Sequence, residues 1–449
     1  MDQRDEATGQ AGLAQRLLQR VVAVRPEELR VVLWCWLYIF AVMSSYYIMR
    51  PMRDQMGVAG GVNNLPWLFS GTLAGMLLVN LPFAYIVKTL PRSRFIPLTY
   101  RFFAVNILLF AAALSVASPE QTVWIGRVFF IWASVYNLFV ISVFWQLNVD
   151  LFDPEQGKRL FGFVAAGATF GAVTGSTITA TLARFASPTA LLIGSAVLLE
   201  VAVFAVGRLG RLSPTLHRTP SVTDRARVEG RTIGGGVLAG IVHAFRSPYL
   251  LNVGGFLLLF STTSTFLYFQ QAAIVRSSFA DRGAQTAFFA TIDLCVNALT
   301  LVVQLFFTGR IVGLLGISLA LALLPALTMA GFGVLAAAPG LNAIAVFQVL
   351  RRACDYAIAR PTREVLFTVL PREDRYKTKS LIDTFVYRVG DQVGAWSVPM
   401  LNELGGQAAA LGAIGLAALW LINALWLGRR QRALESALPA NGLEATAAR

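Results

Sequence analysis

The sequence predicts an all-α polytopic membrane protein with twelve transmembrane helices in two six-helix halves, and three observations predict it. Of 449 residues, 56% are hydrophobic and only 14% charged, with a mean hydropathy of +0.62. A soluble domain carries roughly a quarter charged residues, so this chain has too few charges to face water over its own surface. Apolar runs recur about every thirty residues, each long enough for a hydrocarbon layer of ~30 Å. One long polar stretch, 209–246, holds Pro214, Pro220, Gly230 and Gly234 to Gly236 and divides the runs six and six. A soluble enzyme is excluded.

Taken in order, residues 1–28 carry Leu13, Leu17, Leu18, Val21 and Val22 at helical spacing, with Arg16 and Arg20 between them. That pattern predicts an amphipathic helix on the cytoplasmic membrane surface; no small-residue cleavage site marks a signal peptide. Pro26, Glu27 and Glu28 resemble a helix start, with proline and acids in the first turn. Spans are expected near 29–50, 65–88, 95–116, 122–148, 162–184, 189–208, 247–274, 286–309, 315–337, 341–369, 381–403 and 407–428. The halves are then 29–208 and 247–428, joined by a cytoplasmic linker, 209–246, and followed by a cytoplasmic tail, 429–449.

The net charge is +14, from 38 basic and 24 acidic residues. In a soluble protein this would raise nucleic-acid binding. With the N-terminus inside, the cytoplasmic segments hold about 26 Lys and Arg and the external ones about 5. The excess therefore reports orientation in an inner (plasma) membrane, both termini cytoplasmic, and nucleic acid is not an expected partner. Cys35, Cys295 and Cys354 all lie in apolar runs, and the only histidines, His217 and His243, lie in the linker. No disulfide framework, metal site or cofactor is expected. A shift of 219 residues superposes Glu155 on Asp374, Lys158 on Lys377, Gly171 on Gly390 and Gly175 on Gly394. Such a repeat fits two halves related by duplication, each with a small-residue helix face.

Charge inside the spans is the chemical signal, because at the bilayer centre it costs at least ~2.5–3.5 kcal/mol. At the end of span 1, Tyr46, Tyr47, Arg50, Arg53 and Asp54 share one side of a helix, and Pro51 is expected to kink it. Two guanidiniums beside phenols suit a planar anion with a ring to stack; the bland alternative is that both arginines reach the outer interface. Span 10 carries Arg352, Asp355, Arg360 and Arg363 on one broad face, with Arg352 and Asp355 spaced to pair at i,i+3. Span 11 adds Asp383, Arg388, Asp391 and Gln392. Arg388 and Asp391 are again at i,i+3, so a structural pair competes with a proton-coupling acid. In span 8, Asp293 and Asn297 form an i,i+4 polar pair, the pattern of interhelical glue. Arg127 in span 4 is a further cavity candidate, and Arg101 and Glu200 stand isolated.

Residues 47–54, Tyr-Ile-Met-Arg-Pro-Met-Arg-Asp, resemble the Y-x-L-R-P-x-(K/R)-D segment of the ATP/ADP translocase (nucleotide transporter) family. Phe144–Trp145 followed by Asp153 to Gly162 resembles that family's F-W…E-A-K-R-F…F-G stretch. Arg363 to Leu370 and Lys377 to Asp383 resemble its K-E-M-A-Y-I-P-L…K-x-K-A-A-I-D. The resemblance, to the shorter, free-living bacterial branch, implies a major-facilitator-like fold and nucleotide exchange. It places Arg53 at the first-half phosphate-binding lysine and Arg363 with Glu364 at the second-half Lys–Glu. The family's acid upstream of F-W has no counterpart among residues 133–137, and its asparagine after F-W is displaced to Asn148.

The expected function is alternating-access transport of a small organic anion, nucleotide-like or phosphorylated, by a monomeric carrier in the lipid bilayer. Unpaired arginines in an empty cavity would be costly to occlude, an argument for obligatory exchange. One alternative is a proton-coupled carrier of another anion or amphiphile using Asp383 or Asp391. The other is a non-transporting receptor or scaffold whose partner surfaces are the linker and tail. No nucleophile–base pair or metal ligand set supports an enzyme.

Overall fold

The computed structural model describes residues 25, 28–152, 154–212, 247–369, 382–405 and 407–436. The expected surface helix before residue 25, most of the linker, Lys377 and Lys379, and the end of the tail lie outside them.

Among the described residues every regular element is helical, and the helices form twelve rods. They are α1 (Leu29–Ala59), α2 (Leu65–Thr89), α3 (Arg92–Val116), α4 (Pro119–Leu151), α5 (Pro154–Leu182) and α6 (Pro188–Leu212). After the linker come α7 (Pro248–Ser278), α8 (Arg282–Phe306), α9 (Thr308–Ala337) and α12 (Ala408–Ser436). Between these, α10 joins Leu341–Cys354, a π turn at Asp355–Ala359 and Arg360–Leu366; α11 joins a π turn at Ile382–Val386 to Tyr387–Glu403. Capping chemistry sets several starts. Ser118 and Gln121 form a capping box ahead of Pro119, Ser247 accepts from the Leu250 amide, and Asp281 accepts from the Ala284 amide.

Ten of the rods are long and apolar enough to cross a membrane by themselves, and the protein is an integral membrane protein. The two that fall short, α10 and α11, are the two with π turns and the densest charge. Their apolar runs are interrupted, although the rods are roughly 39 and 33 Å long at 1.5 Å per residue. Side chains such as Phe102 and Leu109 on α3 and Leu419 and Ile422 on α12 stand exposed, as lipid-facing residues must. Several rods outrun the expected spans, α5 and α9 by starting seven or eight residues earlier. α1 continues to Ala59 through Pro51, so Arg50, Arg53 and Asp54 all lie on one helix. α6 runs to Leu212 and α12 to Ser436.

By packing, the described residues fall into two units. The first holds those within Met1–Met56, Ala74–Asp224 and Thr286–Leu294, and the second those within Gly57–Leu73, Arg225–Gln285 and Cys295–Arg449. The expected halves therefore exchange two short segments, 57–73 and 286–294.

Glycine makes the same joint in each unit. In the first, α5 lies on α1 through Gly167, Gly171 and Gly175; a Cβ on Gly167 would stand 2.8 Å from the Trp36 carbonyl, and one on Gly175 would stand 2.5 Å from the Ser44 carbonyl. In the second, α11 lies on α7 through Gly390 and Gly394, where a Cβ would come 2.8 Å from the Leu258 carbonyl and 2.8 Å from the Thr265 Cβ. Backbones this close leave no room for any side chain. An aromatic core of Tyr46, Phe103, Trp132 and Tyr136 fills the first unit, and Phe256, Phe260 and Trp420 fill the second.

Two arginine clusters as candidate functional sites

In the first unit, the last turns of α1 bring Arg50 and Arg53 against α4 and α8. Arg53 directs Nε and Nη2 to Oδ1 of the neighbouring Asp54 at 3.0 and 2.6 Å. Its third nitrogen reaches Ser134 Oγ on α4 at 3.4 Å, and its guanidinium lies over the Phe130 ring at 5.0 Å. Arg50 pairs with Asp293 on α8 at 3.5 Å and donates to the Tyr47 hydroxyl at 3.5 Å. These are half-buried cations, with side chains 16% and 17% exposed, against acids that are almost wholly buried. Asp293, read from sequence as a partner for Asn297, instead holds Arg50.

The other first-unit candidates spread out. Tyr46 meets Tyr47 edge-on at 5.4 Å but its ring stacks on Tyr136 in the core, so of the two phenols only Tyr47 touches an arginine. Arg127 lies over Trp124 of its own helix at 4.4 Å, roughly 10 Å along α4 from Ser134. Asn148 sits roughly 21 Å beyond Ser134, fully buried, donating to the Phe144 carbonyl at 2.8 Å; the structure does not bring it to the arginines. Arg101 and Glu200, isolated in the sequence, face each other at 3.7 Å across α3 and α6.

The second unit carries the other cluster on α10 and α11. Asp355 pairs with Arg360 at 3.0 Å, an i,i+5 contact, and Arg360 lies over the Tyr356 ring at 4.4 Å. The i,i+3 pair of Asp355 with Arg352 expected from sequence gives way to this one. In an α-helix, residues five apart point about 140° away from each other; a π turn widens the helix and brings them onto one face. Arg352 is half-buried one turn before the π segment. Arg363 pairs with Asp383 at 3.6 Å, linking the far end of α10 to the π turn of α11, while its neighbour Glu364 is exposed. Arg388 and Asp391 pair at 3.1 Å, the spacing the sequence predicts. Asp391 also accepts from Ser261 at 2.6 Å and from Thr265 at 3.4 Å.

Sequence reasoning missed the groups that hold these charges. Residues 261–265 of α7, Ser-Thr-Thr-Ser-Thr, are five consecutive hydroxyls within a span, and all five have a task. Ser261 and Thr265 hold Asp391, Thr262 donates to the Gly390 carbonyl, and Thr263 and Ser264 accept from Arg351. Arg351 is 3% exposed; it also donates to the Phe260 carbonyl and, across to α9, to Thr328. It braces three helices and is a structural arginine. The hydroxyl run was the available signal. Gln392 likewise accepts from Ser70 on α2 at 2.8 Å, and Ser70 accepts from the Trp396 indole.

Arg50, Arg53, Arg360, Arg363 and Arg388 each face a carboxylate. The argument that empty arginines would impose obligatory exchange therefore loses its premise. Among the described residues no group of three metal-ligating side chains occurs.

No protein-family model matches the sequence, and no curated protein is similar to it at a significant level. Solved structures do match. A bacterial homologue of the iron transporter ferroportin aligns with a TM-score of 0.63 and 12% identity over 90% of this chain and 98% of that one. A POT family transporter, crystallised with a thioalcohol-conjugated peptide, gives 0.59 and 12% over 90% and 96%. The nucleoside transporter NupG gives 0.54 and 13% over 91% and 99%. At such identities the likeness is one of fold: the chain has a major-facilitator-like architecture.

Proposed function

We propose that this protein is a secondary transporter that carries a small organic anion, phosphorylated or nucleotide-like, across the bacterial inner membrane by alternating access, with both termini cytoplasmic. The observation that carries the reading is how the arginines are held. Arg50 and Arg363, inside spans, each face an acid at 3.5–3.6 Å, longer than the ~2.7–2.9 Å of a close charge-assisted hydrogen bond. A long ion pair is weaker than a close bidentate one, so an incoming phosphate or carboxylate can replace the acid while charge stays balanced. Motif resemblance to nucleotide exchangers and the fold shared with peptide and nucleoside transporters support the same class. Because the empty carrier is already neutralised by its own acids, it can reorient without solute, and uptake need not be obligatory exchange.

Asp391 weighs against the proton-coupled alternative by geometry: Arg388, Ser261 and Thr265 all donate to it, so it is engaged in a structural pair. Purified protein in proteoliposomes, either empty or loaded with unlabelled ADP, tests the proposal with labelled ADP, ribose 5-phosphate and inorganic phosphate. Entry of at least one solute, lost in Arg53→Ala and Arg363→Ala, is expected. Failure of folded protein to move any of them rejects it.

A further inference from the structure

Helix α8 carries a polar stripe. At 100° per residue, Thr286, Asp293, Asn297, Thr300 and Gln304 fall within an arc of about 60°, and the stripe runs roughly 27 Å, close to the hydrocarbon thickness. Its first four members are 2–7% exposed. Asp293 pairs with Arg50, and Gln304 donates to the Tyr356 carbonyl at 3.2 Å. Between them, Asn297 Nδ2 and Thr300 Oγ1 are buried and meet no hydrogen-bond partner among the described residues.

Thr300 is unusual in this protein. A hydroxyl on an apolar helix ordinarily returns to the carbonyl one turn back, as Thr291 of the same helix does to Ala287 at 2.8 Å and Thr328 does to Leu324 at 2.7 Å. The Thr300 hydroxyl makes no such bond. The opposite side of α8 is apolar and exposed at Val302 and Leu305, and Cys295, 200° around from Asp293, is exposed with them. Polar atoms held off the backbone inside a span are costly next to lipid and gain their partners from a solute or from water in a path.

We infer that Asn297 and Thr300 line the solute path and hydrogen-bond the uncharged polar part of the solute, its hydroxyl or amide groups. The inference rests on the transport reading above and adds the solute class: a hydroxyl-bearing organic anion in preference to a bare inorganic one. The test places a thiol at each position, Asn297→Cys or Thr300→Cys, in a chain carrying Cys35→Ala and Cys354→Ala, with native Cys295 kept as a reference on the same helix. In proteoliposomes a cationic, water-soluble methanethiosulfonate is expected to modify both introduced thiols at least tenfold faster than Cys295. Ribose 5-phosphate or ADP should slow that reaction more than inorganic phosphate at equal concentration. Modification no faster than that of Cys295 overturns the inference. Fast modification that no phosphorylated probe slows keeps the path and removes the phosphorylated solute of the proposed function.

Discussion

Ser44 on α1 donates its hydroxyl to the carbonyl of Gly171 on α5 at 3.1 Å. One repeat later Thr262 on α7 donates to the carbonyl of Gly390 on α11 at 3.2 Å. The donors are 218 residues apart and the acceptors 219, so the two units preserve one hydrogen bond across a glycine-lined helix crossing. The glycine part of the sequence repeat is thus a structural repeat.

That joint makes the first prediction. A methyl group on Gly171 would collide with the Phe40 carbonyl, and backbone cannot swing aside as a side chain can. Gly171→Ala and Gly390→Ala should each lower stability by about 1–3 kcal/mol, the usual cost of overpacking. Gly162→Ala, on the same helix as Gly171 with nothing within 4 Å of its added carbon, should be neutral or slightly stabilising. Thermal unfolding in detergent, followed by monodispersity, distinguishes them.

Arg351 yields a prediction opposite to intuition about conservative change. Its guanidinium is buried and spans hydroxyls on α7 and α9. A lysine keeps the buried charge but cannot reproduce the fork, so Arg351→Lys should cost about 1.5–3 kcal/mol, the worth of hydrogen bonds to a charged group. Arg351→Met removes charge and fork together at similar length, and Thr263 and Ser264 keep their bonds to the carbonyls of Leu259 and Phe260. It should unfold at a higher temperature than the lysine variant. The reverse order would mean that Arg351 is not a structural brace.

The fold was legible because hydropathy acts over twenty residues at a time: twelve apolar runs became twelve rods, and only their ends moved. Arg388 with Asp391 was legible because both lie on regular helix, where i,i+3 is a reliable neighbour. Asp355 was not. The π turn at Asp355–Ala359 depends on packing, and no local rule in the sequence announces a widened turn. Asp293 was assigned to Asn297 for a similar reason: spacing along one helix was visible, whereas the approach of Arg50 from α1 is tertiary. Charge inside spans singled out the helices that carry both arginine clusters; how each charge was compensated had to come from the packing, with the hydroxyl run of α7 as the largest omission.

Glu28 sets a pH dependence outside the membrane. Burial alone would raise its carboxyl, but hydrogen bonds from Arg159, the Arg25 amide and Gln156, together with the Arg159 charge, hold it below the usual carboxylate range. A carboxyl lowered in the folded state stabilises the fold fully above its unfolded value, roughly 4.3, and loses that contribution as pH falls through the folded value. Glu28→Gln should therefore melt below the parent at pH 7, and the two curves should converge as the pH is taken below 4. A gap that persists at low pH would assign the effect to packing and not to charge.

Asp293 supplies the prediction closest to function. It faces Arg50 at 3.5 Å, and an anionic solute competes for the same guanidinium. Asp293→Asn keeps the shape and removes the competing charge, so Arg50 is left to the solute. ADP or ribose 5-phosphate should then bind about tenfold more tightly, worth ~1.4 kcal/mol, while release and net transport slow, because the arginine lacks an acid to return to. Arg50→Ala should weaken binding instead, and the double variant should bind no more tightly than Arg50→Ala. Ligand-dependent thermal shift measures the affinities and proteoliposome flux the turnover. If Asp293→Asn bound no tighter than the parent, the acid would not be a stand-in for solute, and the pair would be a structural link between α1 and α8.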